Sequence, residues 1–320
     1  MRKALLALAV LLALAAGAAA LVLGPYLVRV QRFPADPAAG YHADFFLYVS
    51  PGARERAGVG RTVTLLVQPN NSGTSSDDAR VHERDAWWTG LERRGVADEL
   101  GVVLLVPAFV RPGADWTIYT HALDRDTLTT TRVDLARIDL QLLAMIERAR
   151  AELAADGLAL DERFLIQGFS ASGMFANRFT ALHPERVKAA AIGSPGGWPL
   201  APLERLGEDE LPYPAGVADL EALTGRPFDS AAFAAVPQLF VLGSLDDNDS
   251  LDFRDGWDAD HAGLVDRLFG TDPVARWDDA RAAYESAGVS ARFLLVDGVG
   301  HDRKALQHLT TEFFAEVLGK

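Results

Sequence analysis

Six short and almost wholly apolar runs, separated by polar breaks and amphipathic stretches, constrain this chain more than any other feature. They are residues 62–68 (TVTLLVQ), 102–106 (VVLLV), 164–167 (FLIQ), 187–192 (VKAAAI), 238–242 (QLFVL) and 291–296 (ARFLLV). A strand with one wet face alternates polar and apolar side chains, whereas a run without alternation reads as a strand covered on both faces, as in a largely parallel sheet. Between the runs, residues 134–155 carry Leu135, Ile138, Leu142, Met145 and Ile146 at three- and four-residue spacing, and residues 77–99, 171–182 and 273–287 behave similarly. That is the periodicity of helices with one buried face. The alternation predicts α/β architecture, a mostly parallel central sheet flanked by helices and joined by right-handed crossovers. Residues 43–49 (ADFFLYV) and 62–68 are expected to form a leading antiparallel pair.

A chain of 320 residues that is 49% apolar and 23% charged is neither disordered, collagen-like nor a multi-span membrane protein. Net charge is −13, and residues 1–30 hold three bases (Arg2, Lys3, Arg29) and no acid, so the rest carries −16. Such a body repels phosphate backbones, which argues against nucleic acid as a partner. The absence of cysteine excludes disulfides, thiolate metal sites and a thiol nucleophile.

Residues 4–23 are Ala, Leu and Val with one Gly, directly after Arg2 and Lys3. As a helix rising about 1.5 Å per residue, this N-terminal hydrophobic helix is long enough for a bilayer core. Residues 1–30 therefore read either as a signal peptide, with Ala18, Ala19 and Ala20 offering a cleavage site, or as an uncleaved membrane anchor. Both place residues 31–320 outside the cytoplasm, and in the second the N-terminal segment contacts the membrane. Residues 198–236, with five prolines and three glycines, interrupt the rhythm. They read as a surface excursion or as a cap inserted over a pocket.

The chemical signal is FLIQGFSASG, residues 164–173, at a strand-to-helix turn. A serine there stands clear of the sheet, and small residues two before and two after it let the backbones approach. Gly168, Ser170 and Ser172 meet that need, although a glycine is expected at 172. A serine hydroxyl needs an imidazole to take its proton and a carboxylate to orient the imidazole. Both follow in order: Asp246, in GSLDDND just past the fifth run, and His301, in DGVGH just past the sixth. Asp249 is the reserve acid and Asp247 a weaker one. Seven aspartates between 246 and 260 also leave open a solvated acidic loop or a Ca²⁺ site, although no EF-hand spacing is present. The remaining histidines, His42, His82, His121, His183, His261 and His308, lack the position after a strand tip. The N–H of Ala171 is one candidate donor to an oxyanion. A second is expected from QPNNSG after the first run, with Asn71 preferred and Asn70 the alternative. Trp116, Tyr119, Trp198 and Tyr213 are candidate substrate-binding residues, and core packing is their plainer reading.

GFSASG, GSLDD and GVGH, in the order Ser, Asp, His on a β/α alternation, resemble the α/β-hydrolase superfamily over residues 43–318. The tract LDERFLIQGFSASGMFANRFTALHPERVKAAAIGSPGG is similar to secreted esterases of the polyhydroxybutyrate-depolymerase and feruloyl-esterase type. The resemblance implies an α/β-hydrolase fold and a serine carboxylic-ester hydrolase acting through an acyl-enzyme. It also implies Ser170 as nucleophile, His301 as base and Asp246 as orienter, a small or polymeric ester as substrate, and no metal or organic cofactor. Alternatives are a serine peptidase or amidase of the same fold, and a non-catalytic extracytoplasmic binding protein, including a calcium-dependent adhesion role for the aspartate-rich loop.

Overall fold

The structure, a computed structural model, describes residues 30–71, 73–253 and 256–320. The apolar run 4–23, read above as signal or anchor, lies outside these residues. Among the described residues no helix is long and apolar enough to cross a membrane.

Eight strands form the central sheet: β1 (Gln31–Phe33), β2 (Phe45–Val49), β3 (Leu65–Val67), β4 (Val103–Pro107), β5 (Phe164–Phe169), β6 (Val187–Gly193), β9 (Gln238–Gly243) and β10 (Ala291–Val296). β7 (Arg205–Leu206) and β8 (Asp209–Glu210) make a separate small hairpin. The sheet order is β1-β2-β4-β3-β5-β6-β9-β10. β2 runs antiparallel to β1 and to β4, and every pairing from β4 to β10 is parallel. The expected antiparallel pairing of 43–49 with 62–68 is therefore corrected. β2 pairs with β4, and β3 is inserted between β4 and β5. A sequence pattern marks a strand but carries no record of its neighbour.

The unbroken apolarity of the inner strands follows from coverage of both faces, whereas the edge strand β10 leaves Leu294 and Leu295 exposed. Side chains of successive residues point to opposite sides of a strand. Leu65, Val67, Val103, Leu105, Phe164 and Ile166 join one core with the helices Ile138–Ala155 and Ala171–Leu182. Leu66, Leu104, Val106 and Leu165 join the other with Ala79–Leu100 and Arg303–Val317. A Leu or Ile wholly removed from water in this way contributes about 1.5–3 kcal/mol.

Helix ends have local causes. The helix expected from 134 begins at Ile138 because Arg137 adopts a left-handed φ of 48° and its N–H goes to the Thr127 carbonyl at 2.7 Å. The Asp78 carboxylate caps Ala79–Leu100 by accepting from the Arg80 N–H, and Gly101 at φ 56° ends that helix. Asp302 likewise caps the last helix through the Lys304 and Ala305 N–H groups.

Residues 198–236 pack into the body. Leu200, Tyr213, Val217, Leu220, Phe233 and Val236 enter the core that the helix Ala171–Leu182 shares, and Trp198, Ala201, Leu211 and Ala215 form a satellite core. The segment is anchored through these apolar side chains, while residues 204–208 and 225–227 between them are exposed.

Candidate active site

β5 delivers Ser170 into a backbone conformation that few residues tolerate, φ 59° and ψ −127°, and Ala171 opens the following helix. The Ser170 N–H donates to the Gly193 carbonyl at 2.9 Å, and its carbonyl accepts from the Met174 N–H at 3.0 Å. The turn is so tight that a Cβ on Gly168 would sit 1.9 Å from the Ser172 carbonyl oxygen. Ser172, where a glycine was expected, is 2% exposed and bridges the turn from inside. Its Oγ accepts from the Phe169 N–H at 3.0 Å and donates to the Phe169 carbonyl at 2.9 Å. A hydroxyl thus replaces conformational freedom with a local clasp.

His301 and Asp246 meet because β9 and β10 lie side by side in register, with Gly243 opposite Val296. The loops leaving them then touch: the Leu245 N–H donates to the Val299 carbonyl at 2.9 Å. A Cβ on Gly243 would fall 2.1 Å from that same carbonyl oxygen, so the approach requires glycine. His301 Nδ1 lies 3.0 Å from each carboxylate oxygen of Asp246. The Asp246 N–H is tied to the Gly243 carbonyl, and its Oδ1 also accepts from the Asn248 N–H at 3.1 Å. Burial raises the Asp246 pKa, but the His301 hydrogen bond and neighbouring donors outweigh it and hold the carboxyl below its ordinary value. A carboxylate at Nδ1 keeps the proton there and leaves Nε2 free to accept. The reserve acid, Asp249, is committed elsewhere: its Oδ2 pairs with Arg276 at 2.7 Å and its Oδ1 accepts from the Leu251 N–H. Asp247 is exposed.

Ser170, Ala171 and His301 line one cavity of about 500 Å³ at the carboxyl ends of the parallel strands. None of the other six histidines lines it. His82 is bonded to the Ser76 carbonyl, His183 to Asp139 and His261 to Asp258. Of the two candidate asparagines, Asn71 lines the cavity and its side-chain amide donates to the Phe169 carbonyl at 3.2 Å, fastening its loop to the elbow. Asn70 is fully buried and clamps Phe109, accepting from its N–H and donating to its carbonyl, both at 3.0 Å. Among the described residues no group of three or more acids or histidines is arranged to hold a metal ion.

The four aromatic candidates separate. Tyr119 lines the cavity, with the Arg111 guanidinium 3.9 Å above its ring. Trp116 lines a different cavity of about 270 Å³ with Asp124, Asp126 and Trp257. Trp198 and Tyr213 are corrected to core residues. Trp198 stacks on Phe269 and donates to the Ala215 carbonyl, and the Tyr213 hydroxyl donates to the Leu123 carbonyl. Each needed a partner for one polar atom and found it inside the protein.

Sequence reasoning missed the wall opposite the elbow. The helix Ala79–Leu100 supplies Asp85, Trp88, Thr89, Glu92 and Arg93 to the cavity, and the start of the last helix supplies Arg303. A signal was there: Arg93 falls in step with the buried Ala86, Gly90 and Ala97, a cation on the apolar stripe of its helix.

The loop that carries Asn71 rests on His121, wholly buried with Nε2 2.9 Å from the Phe109 carbonyl. Burial, only partly offset by that bond, pushes the imidazole from 6.5 down to about 3. The folded protein therefore holds a neutral ring while the unfolded chain takes up a proton below pH 6.5, so stability falls as pH drops from 6.5 toward 3. His121→Gln should reduce the loss of unfolding free energy between pH 7.5 and pH 5 by about 2 kcal/mol, at about 1.4 kcal/mol per pH unit. Urea unfolding at both pH values measures this, and an undiminished loss would show that His121 does not carry it.

In sequence the chain matches no family model and no curated protein. In structure it is similar to poly(aspartic acid) hydrolase-1 from Sphingomonas sp. KT-1, with TM-score 0.56 and 17% identity over 88% of this chain and 97% of that one. It is also similar to LpqC, a poly(3-hydroxybutyrate) depolymerase from Bordetella parapertussis, with TM-score 0.56 and 20% identity over 93% of each. At these identities the likeness is one of fold. Strand order, the elbow after β5 and the loops after β9 and β10 agree with it: the chain has the α/β-hydrolase fold.

Proposed function

We propose that this protein is a serine hydrolase acting on carboxylic esters through an acyl-enzyme. The observation that carries the reading is the His301 imidazole, held through Nδ1 by Asp246 in the cavity that the strained Ser170 also lines. Ser170 Oγ attacks the ester carbonyl carbon while its proton passes to His301 Nε2. The negative charge on the carbonyl oxygen is met by the N–H of Ala171, one of the leading N–H groups that a helix leaves without an internal acceptor, and by that of Asn71. Loss of either donor would cost about 3–4 kcal/mol in the transition state. Collapse of the tetrahedral species breaks the C–O bond, His301 protonates the departing alcohol, and Ser170 retains the acyl group. Water then gives His301 a proton and attacks the acyl carbon; the second tetrahedral species collapses by breaking the bond to Ser170 Oγ, which takes the proton back from His301 as the acid departs.

The test is a fluorophosphonate probe followed by peptide mapping. One adduct, on Ser170, is expected; an adduct on Ser172 or Ser194, or none, would reject the assignment. Matched ester and amide substrates separate esterase from amidase chemistry. The apolar run 4–23 behind Arg2 and Lys3 supports a location outside the cytoplasm. The intact mass of the native protein tells cleavage from anchoring, since a cleaved chain lacks about its first 20 residues.

A further inference from the structure

Three arginines of the described chain are buried: Arg93, Arg178 and Arg276. Arg276 pairs with Asp249 and Asp266. Arg178 donates to the Ala122 carbonyl and lies over the Trp257 ring. Arg93 is 6% exposed and, among the described residues, has neither a hydrogen bond nor an ion pair. Its nitrogens are not sealed from solvent without a partner, so they face accessible space; Arg93 lines the cavity of Ser170 and His301 and also a small adjoining one, of about 20 Å³, with Gln167 and Arg303.

The acids nearby do not neutralise it. Glu92 is taken by Arg303, with Nη2 to Oε2 at 2.9 Å. Asp85 lies eight residues earlier on the same helix, about 12 Å along its axis, and burial beside Glu92 pushes it up to about 6. Burial and the neighbouring Arg303, partly offset by Glu92, push Arg93 down to about 9, which leaves it charged at neutral pH. A desolvated guanidinium without a counter-ion costs free energy, and a planar carboxylate offers two acceptors in the geometry of its fork. The cavity's lining is balanced in formal charge, Asp85 and Glu92 against Arg93 and Arg303, and its cationic end lies at Arg93, because Arg303 is already paired with Glu92.

We propose that Arg93 is a specificity-determining residue that binds a carboxylate on the substrate, so that the preferred esters carry a free acid group. Arg303, two residues past His301 and lining the same cavity, is paired with Glu92 and keeps that acid from Arg93. The inference rests on the hydrolase reading only for its catalytic readout.

Two matched pairs of substrates test it on the full-length protein: mono-4-nitrophenyl glutarate against 4-nitrophenyl butyrate, with the acid on the acyl side, and 3-acetoxybenzoate against phenyl acetate, with the acid on the alcohol side. The wild type should favour the acidic member of at least one pair in kcat/KM, and Arg93→Gln should reduce that ratio by roughly 10- to 100-fold, chiefly through KM. Arg93→Lys, which keeps the charge and loses the fork, should recover part of it and serves if the glutamine variant does not fold. Titration calorimetry of Ser170→Ala with mono-4-nitrophenyl glutarate, with and without Arg93→Gln, reads binding apart from turnover. Ester hydrolysis without acidic preference and without Arg93-dependent binding overturns the pocket and leaves the hydrolase reading intact. Arg93-dependent binding with no hydrolysis of any ester does the reverse.

Discussion

Ser170→Ala is expected to lower kcat for 4-nitrophenyl butyrate by about 10⁵- to 10⁶-fold, to the level that binding and oxyanion donors sustain without a nucleophile. The loss is this large because nucleophile and base act as a unit: without the hydroxyl, His301 has no proton to take in the first step. A second substitution separates chemistry from strain. Ser170 holds φ 59° and ψ −127°, a conformation that costs a residue with a side chain of order 1–3 kcal/mol and that glycine adopts freely. Ser170→Gly should therefore be as inactive as the alanine variant yet melt higher than it. If either variant kept more than about one-hundredth of wild-type turnover, Ser170 would not be the nucleophile. Equal melting temperatures would mean that the turn stores no strain at this residue.

Much of this arrangement was legible in the residues, and what was not has identifiable causes. Strands covered on both faces leave a run of apolar side chains, so the inner parallel strands could be read from periodicity, and the equally apolar edge strand β10 was read with them although it is half exposed. β10 was bounded at both ends because ARFLLV stands between a polar turn and Asp297-Gly298. Pairing was not legible: β2 joined β4 because of where the connections cross, which no local pattern encodes. The elbow was legible because Gly168 and Ser170 answer a local steric demand. The clasp made by Ser172 was not, because a serine in place of glycine reads as a tolerated departure until its hydroxyl is seen bonded to Phe169 on both sides. Trp198 and Tyr213 stayed open between pocket and core for a related reason. A loop rich in proline reads as exposed, but this one is long enough to bury its aromatics against Phe269 and Leu123. Arg93 was written on the apolar stripe of its helix, and its significance lies in the partner it lacks, which only assembly of the cavity reveals.

The choice between Asp246 and Asp249 gives the other large effect, because the two acids differ in what they hold. Asp246→Asn should lower kcat by about 10⁴-fold with little loss of stability. An amide can present N–H to Nδ1 of His301, which shifts the ring proton to Nε2 and removes the acceptor that Ser170 requires. Asp249→Asn should do the opposite. Its carboxylate faces Arg276, the two side chains being 7% and 1% exposed, and removing one charge from a buried pair typically costs 3–5 kcal/mol. Asp266 remains as a second partner for Arg276, at 2.5 Å, which sets the expected loss near the lower end, about 3 kcal/mol. Chemical denaturation and steady-state kinetics on both variants resolve the two roles. If Asp249→Asn lost turnover while unfolding at the wild-type midpoint, the imidazole would have to take its orientation from Asp249. The 3.0 Å contacts between His301 and Asp246 would then not describe the working enzyme.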